Sequence, residues 1–246
     1  MDPFTFPPLA ALLNAASVAL SGLTDLLSPA VGTAAGALAV VLVTLLVRAA
    51  LIPAGVSQAR SEQARARLAP RLRELRRRHG KDPERLQRET LDLYRAEHVS
   101  PFAGMLPTLA QAPVLGLLYA IFVRSEIAGR ANPMLVHDLF GAPLGTSLVQ
   151  LLVTGGGSAT AFLLYGALLT MLAVIAELSR RLLQPVQDGS TVSPGMRLLT
   201  GALHHLTAVF ALFVPLAAAL YLTVSAAWTL GQRLLLRRRY PFDAAA

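Results

Sequence analysis

Residues 198–232 read LLTGALHHLTAVFALFVPLAAALYLTVSAAWTLGQ, a run of 35 residues without Asp, Glu, Lys or Arg. As one helix this run would extend about 52 Å, whereas the hydrocarbon core of a bilayer is only about 30 Å thick. Pro215, near the middle of the run, lacks a backbone hydrogen-bond donor and can break a helix. The run therefore predicts two membrane spans, at 198–214 and 215–233.

The composition of the whole chain is typical of a membrane protein. Of its 246 residues, 54% are hydrophobic and only 15% are charged, whereas soluble domains carry about 25% charged residues. Three further apolar stretches are about long enough to cross a bilayer, at 31–53, 101–123 and 159–177. The sequence thus predicts an all-α polytopic membrane protein with five transmembrane helices.

Basic residues predict the orientation of these spans. The segment 54–100 holds 12 of the 22 basic residues, and the loop 178–197 and the tail 234–246 hold three each. The loop 124–158 holds only two, and residues 1–30 hold none. Because loops rich in Lys and Arg stay in the cytoplasm, we expect the N-terminus outside and the C-terminus in the cytoplasm.

The outer N-terminal segment, 1–30, contains an apolar stretch at 9–27 that is interrupted by polar residues. This pattern predicts an amphipathic helix on the outer face of the membrane. A sixth span in the same stretch is the alternative.

The segment 54–100 is predicted to form a cytoplasmic helical hairpin. Leucines recur at helical spacing on both sides of the HGKDPE motif at 79–84. Within this motif, Gly80 suits a helix C-terminus, Asp82 an N-cap and Pro83 the first position of the next helix.

The hairpin is also basic, with 12 basic and seven acidic residues in 56–100. Such a surface suits anionic headgroups, ribosomal RNA or an acidic partner, and the alternative is that the charge only fixes topology and solubility. No motif for sequence-specific nucleic-acid recognition is found. The residues predicted to recruit partners are Arg73, Arg76, Arg77, Arg78, Asp82 and Pro83.

Arg48 is the one charged residue in VTLLVRAALIP at 43–53. One interpretation is that its side chain reaches the cytoplasmic interface about 7.5 Å away. The other is a watery, positively charged recess, because an arginine inside a membrane is costly and usually faces protein or water. Polar residues at helical spacing on other spans would line that recess, although each could also serve only to join helices. The candidate residues are Arg48, Thr44, Thr108, Gln111, Tyr221 and Ser225.

Motifs of catalytic chemistry are absent from the sequence. There is no cysteine, no phosphate-binding loop, no nucleophile elbow and no metal-ligand cluster. We therefore expect neither enzymatic activity nor a cofactor or metal.

Three parts of the sequence together resemble the YidC-type membrane protein insertases, relatives of the Oxa and Alb proteins of organelles. They are the first span, which carries Arg48 and ends in LIP at 51–53, PRLRELRRRHGKDPERLQRETLDLYRAEHVSPFAGMLPTLAQAPVLGLLYAIF at 70–122 and VPLAAALYLTVSAAWTLGQ at 214–232. The most specific positions are Asp82-Pro83, Leu93-Tyr94, Pro101, Gly104, Leu106-Pro107 and Gln111-x-Pro113.

The resemblance implies a five-span core around a hydrophilic groove that opens to the cytoplasm and the lipid. In this comparison Arg48 corresponds to the groove arginine, Gln111 to a polar groove residue, and the hairpin to helices that receive substrates near the ribosome. The implied partners are nascent membrane proteins, the ribosome, the Sec translocon and anionic lipids, in a bacterial plasma membrane. A small-solute transporter and a membrane scaffold with a structural Arg48 are the alternatives.

Overall fold

The structure is a computed structural model that describes residues 6–80, 82–97, 106–183 and 206–239, without the side chains of 61, 62, 65, 66, 106–112 and 239. It is mostly helical, in agreement with the predicted all-α class. The helices are α1 (Pro7–Val31), α2 (Ala35–Ala50), α3 (Ile52–His79), α4 (Pro83–Ala96), α5 (Leu106–Val123), α6 (Leu148–Thr154), α7 (Ala159–Leu183) and α8 (Leu216–Arg239), and residues 206–210 are also helical. Residues 198–205 of the predicted span 198–214 lie outside the described residues.

Two helical stretches of the described residues are long and apolar enough to cross a bilayer, Pro7–Ala50 and Ala159–Leu183. A shorter apolar helix covers Pro113–Val123. Helix α8 is not among them, because its uncharged part, 216–232, is only 17 residues long and is followed by Arg233 and three further arginines. The count of five spans, their boundaries and the position of the N-terminal helix relative to the membrane remain predictions.

Helix α1 ends at Gly32, whose φ of 57° is easily adopted only by glycine and whose N–H donates to the carbonyl of Ser28. A short 3-10 turn, Gly32–Ala34, then leads into α2, and α1 packs against α2. The buried residues of α1 form one stripe at helical spacing, whereas Val18 and Leu26 on the other side are exposed. An apolar exposed side suits lipid rather than water.

Helix α8 lies at the centre of the bundle and packs against α2, α3, α5 and α7. Its first turns are rich in alanine, and Ala217, Ala218 and Ala219 are fully buried. Small side chains allow neighbouring helices to approach closely, which is the usual way that helices associate in lipid.

The connection between α5 and α7 seals one end of this bundle. It contains two β-hairpins, formed by β1 (Glu126–Ile127) with β2 (Arg130–Ala131) and by β3 (Asp138–Leu139) with β4 (Ala142–Pro143), and a 3-10 turn at Pro133–Val136. Its backbone bonds directly to the start of α8, because Leu216 N–H donates to Thr146 and Ala217 N–H donates to Leu144.

Asn132 fastens the same connection to the end of α5. Its buried side-chain amide donates to the carbonyls of Ile121 and Arg124, and its Oδ1 accepts from the N–H of Met134 at 3.0 Å. These three hydrogen bonds, all made by one buried side chain, hold the C-terminal end of α5 and the following loop together.

Helices α2 and α3 are separated by a single residue, Leu51. The N–H of Leu51 donates to the carbonyl of Val47, and its own carbonyl accepts from the N–H of Gly55, both at 3.0 Å. Pro53 lies in the first turn of α3 and has no N–H to donate. The regular series of helical hydrogen bonds is therefore interrupted where the two helices meet at a bend.

Helix α4 packs back against α3. Asp82 is the N-cap of α4 and accepts from the N–H of Arg85 at 3.0 Å, and Pro83 is its first residue. Side chains also join the two helices, through an ion pair between Arg71 and Glu97 and a contact of 3.2 Å between His79 and Glu89. The cytoplasmic location of these helices remains a prediction.

Candidate functional site

Arg48 lies in the last turn of α2, on the face that packs against α8. Its side chain is only 8% exposed, although arginine is one of the most polar amino acids. Val40 and Thr44 share this buried face at intervals of four residues. The Nε atom of Arg48 has no hydrogen-bond partner among the described residues. The guanidinium group is therefore buried in the bundle with at least one donor unused.

Helix α8 contributes the opposite wall. Tyr221 and Ser225 are four residues apart and both are buried, so they lie on one face of the helix. Tyr221 lies near the guanidinium group of Arg48. The hydroxyl of Ser225 is buried and has no partner within the described part of the chain.

Further along the same face, the side chain of Gln232 contacts the start of α3. Its Oε1 accepts from the indole N–H of Trp228 at 3.2 Å, and its Nε2 is buried and unpartnered among the described residues. A Cβ atom at Gly55 would collide with this Nε2. Gly55 thus provides the space that the amide group occupies.

Thr44 is placed on the predicted face, but its hydroxyl is already used. It is fully buried, and its Oγ1 donates to the carbonyl of Val40 at 2.6 Å. Thr223 and Thr229 on α8 also donate to carbonyls of their own helix. Ser225 differs from these threonines, because its buried hydroxyl remains available to water or a ligand.

The other two candidates, Thr108 and Gln111, belong to α5, which packs against α8. Their side chains lie outside the described residues. Helix α5 continues through Pro113 without a break.

The structure therefore brings Arg48, Thr44, Tyr221 and Ser225 to the interface between α2 and α8. The sequence analysis selected neither Gln232, which lies at helical spacing from Tyr221 and Ser225, nor Gly55. The only sequence signal for Gly55 is a glycine close to Pro53 at the start of a helix. That signal does not tell which side chain fills the space.

The site carries a positive charge that the helices forming it do not balance. No Asp or Glu occurs in the sequences of α2, α5 and α8, so these helices carry no counter-charge for Arg48. A buried polar group without a partner costs about 1–3 kcal/mol. Such groups are usually satisfied by water. Among the described residues no group of side chains suitable for a metal was found.

The unpartnered hydroxyl leads to a labelling prediction. Because the natural chain has no cysteine, a single thiol can be introduced as Ser225→Cys or, as the matched control, Thr223→Cys. Both positions are buried, but only Thr223 bonds to its own helix. We expect a small water-soluble maleimide to react with the thiol at 225 at least an order of magnitude faster than with the thiol at 223. Equally slow labelling of both thiols would mean that water does not reach the interface between α2 and α8.

The arginines near the end of α3 are mostly exposed. Arg78 pairs with Glu74, whereas Arg76 and Arg77 have no ion-pair partner in the part of the chain that the structure describes. On α4 the arginines are neutralised locally, because Arg85 pairs with Glu89 and Arg88 with Glu84. Arg76 and Arg77 thus provide exposed positive charge at the end of α3.

Comparison with known proteins assigns the family. The model of the family described as 60Kd inner membrane protein matches residues 27–243. The membrane protein insertase YidC of Laribacter hongkongensis (strain HLHK9) is 36% identical over 102 residues, which are 41% of this chain and 18% of that protein. The YidC of Clostridium perfringens (strain 13 / Type A) is 38% identical over 92 residues, 37% of this chain and 39% of that protein.

A third relative, the YidC of Burkholderia mallei (strain SAVP1), is 35% identical over 102 residues, 41% of this chain and 18% of that protein. The matched region thus spans less than half the length of each of these curated relatives. The family match, in contrast, covers most of this chain and confirms the resemblance found in the sequence. The chain belongs to the 60Kd inner membrane protein family, which is the family of the YidC-type proteins.

Proposed function

We propose that this protein is a membrane protein insertase and chaperone, which moves short hydrophilic segments of nascent membrane proteins into the bilayer. The observation that carries the proposal is the buried guanidinium group of Arg48, which has no carboxylate on α2, α5 or α8 and lies at the interface that holds the unpartnered hydroxyl of Ser225. The curated relatives carry the name membrane protein insertase.

The two ends of the bundle differ in a way that supports a groove open on one side. At one end the connection between α5 and α7 is bonded to the start of α8. The unpartnered atoms of Arg48, Ser225 and Gln232 lie away from this connection, in the last turn of α2, the middle of α8 and the later turns of α8. With the predicted orientation, the sealed end faces outwards and the polar half faces the cytoplasm of a bacterium.

The mechanism follows from solvation. A hydrophilic tail that enters the polar half exchanges part of its water for Arg48 and the neighbouring hydroxyl and amide groups. It therefore avoids the cost of unpaired polar groups in hydrocarbon. The membrane potential acts on acidic residues of the tail with about 2.3 kcal/mol per charge per 100 mV, and the apolar segment of the substrate moves into lipid.

Substrate delivery involves the other predicted surface. The exposed Arg76 and Arg77 at the end of α3 form a basic patch that suits ribosomal RNA or anionic lipid headgroups. In this proposal α3 and α4 lie in the cytoplasm and receive the nascent chain, and the Sec translocon is a further partner.

Two alternatives from the sequence have less support. In a scaffold, the side chain of Arg48 would only extend to the membrane interface, and its guanidinium group would not need to be buried. The side chain is nevertheless only 8% exposed. A small-solute transporter needs a path through both ends of the bundle, and the bonded connection between α5 and α7 opposes one.

Reconstitution tests the proposal. We expect purified protein in liposomes to insert a single-span substrate with a short acidic tail, so that the tail becomes protected from added protease without any nucleotide. Empty liposomes are the control for spontaneous insertion. Equal protection with and without the protein would contradict the proposal, and liposomes that bind ribosomes without inserting substrate would favour the scaffold.

A further inference from the structure

The two β-hairpins between α5 and α7 share one turn geometry but differ in chemistry. Each joins its strands through two residues with positive φ, Ala128 (52°) and Gly129 (74°) in the first hairpin, and Phe140 (54°) and Gly141 (79°) in the second. This turn favours Asn, Asp or Gly at its first central position. A bulky aromatic residue with positive φ is a conformational outlier, so its place at the second tip calls for an explanation.

Phe140 is held outward by an ordered turn. The N–H of Gly141 donates to Oδ1 of Asp138 at 2.8 Å, which closes the turn across its tip. The phenyl ring nevertheless lies in no packed core, because Phe140 is 67% exposed. The protein therefore supports a strained backbone in order to present an aromatic side chain to its surroundings.

The base of the β3–β4 hairpin lies beside the start of α2. The side chain of His137 is in contact distance of the Cβ position of Gly36, in the first turn of α2, and the N–H of Leu144 donates to the carbonyl of His137. Phe140 is three residues beyond His137, and an extended chain rises about 3.3 Å per residue. The Cα atom of Phe140 is thus within about 10 Å of the Cα atom of His137, beside the end of the bundle, and lipid headgroups lie at about this distance from the hydrocarbon core.

Other exposed apolar residues occur at the same end of the bundle. Val136 precedes the hairpin, and Leu152 and Val153 lie on α6, and all three are largely exposed. Helix α6 is followed by the candidate span α7, whose Leu163 is also exposed. The connection therefore exposes apolar side chains close in sequence to the candidate span α7.

We propose that the tip of the β3–β4 hairpin is a lipid anchor, in which Phe140 inserts into the headgroup region of the leaflet at the sealed end. Apolar side chains on a monotopic element enter the boundary between headgroups and acyl chains in this way. The first hairpin stays in water, because its small tip residue Ala128 is flanked by the exposed charges of Glu126 and Arg130.

Spin labels at the two tips test this inference. The labels are attached to Phe140→Cys and to the matched control Ala128→Cys in the cysteine-free chain, reconstituted in phosphatidylethanolamine–phosphatidylglycerol liposomes. Collision rates with oxygen, which concentrates in lipid, and with a water-soluble nickel chelate give the depth of each label. We expect nickel accessibility to be several-fold lower at 140 than at 128, and oxygen accessibility to be higher.

Two results would overturn the anchor. Equal nickel accessibility at both tips would place the second hairpin in water. Low accessibility to both reagents at 140 would mean that protein covers the ring, as in an association between two copies of the chain. Because the test does not depend on substrate insertion, its outcome is independent of the proposed function.

Discussion

Replacing Arg48 by methionine is expected to lower the insertion of a substrate with an acidic tail strongly, while the protein becomes no less stable to heat. Hydrogen bonds to charged groups contribute about 1.5–3 kcal/mol, which corresponds to a loss of roughly 10- to 150-fold in rate. Stability should not fall, because the substitution removes a buried charge with an unpartnered Nε atom and fills the space with an apolar chain of similar length. Protease protection of the tail and the thermal midpoint in detergent provide the two measurements.

Three controls separate charge from shape at this position. Arg48→Lys keeps the charge without the planar donors and should restore insertion in part. Arg130→Ala removes the same charge from an exposed loop and should have little effect. A substrate with a neutral tail should depend less on Arg48 than the acidic one. Full activity of the methionine variant with the acidic substrate would exclude Arg48 from the mechanism.

Asn132→Ala is expected to destabilise the protein by about 2–5 kcal/mol, since it leaves buried backbone groups without partners. The affected groups are the carbonyls of Ile121 and Arg124 and the N–H of Met134. Alanine cannot replace any of these bonds. A fall in the thermal midpoint of unfolding in detergent, followed by loss of the monodisperse species, would measure the effect.

Asn14→Ala is the matched control, because Asn14 is exposed on α1 and should change the midpoint little. Asn132→Asp should not rescue stability, because a carboxylate can still accept from Met134 but would face two carbonyl oxygens. If the alanine variant unfolds like the natural protein, the connection between α5 and α7 is not fastened through this side chain.

The local features of the fold were accessible from the sequence. Asp82 and Pro83 act through their immediate neighbours in the chain, so the start of α4 could be predicted from residue type alone. Arg48 could be selected because a charge in an apolar span is rare, and Tyr221 and Ser225 because helical spacing decides which residues share a face. These predictions need no knowledge of how the helices pack.

Features that depend on distant contacts could not be predicted. The amide of Asn132 bonds to carbonyls at the end of the preceding helix, and strands of two residues are too short to show alternation. The space at Gly55 is defined by Gln232 on another helix. Thr44 lies on the expected face, but its hydroxyl bonds within its own helix, an alternative that a sequence pattern does not distinguish from a free donor.

The bend at Leu51 has a mechanical consequence. With 28 residues, α3 is about 42 Å long, so a change of about ten degrees at the bend would carry its far end through about 7 Å. Arg48 lies on the other side of this pivot, within α2, and its position would hardly change. A small change of angle at this joint would therefore move the far end of α3 over several ångströms without displacing the buried charge from its place beside α8.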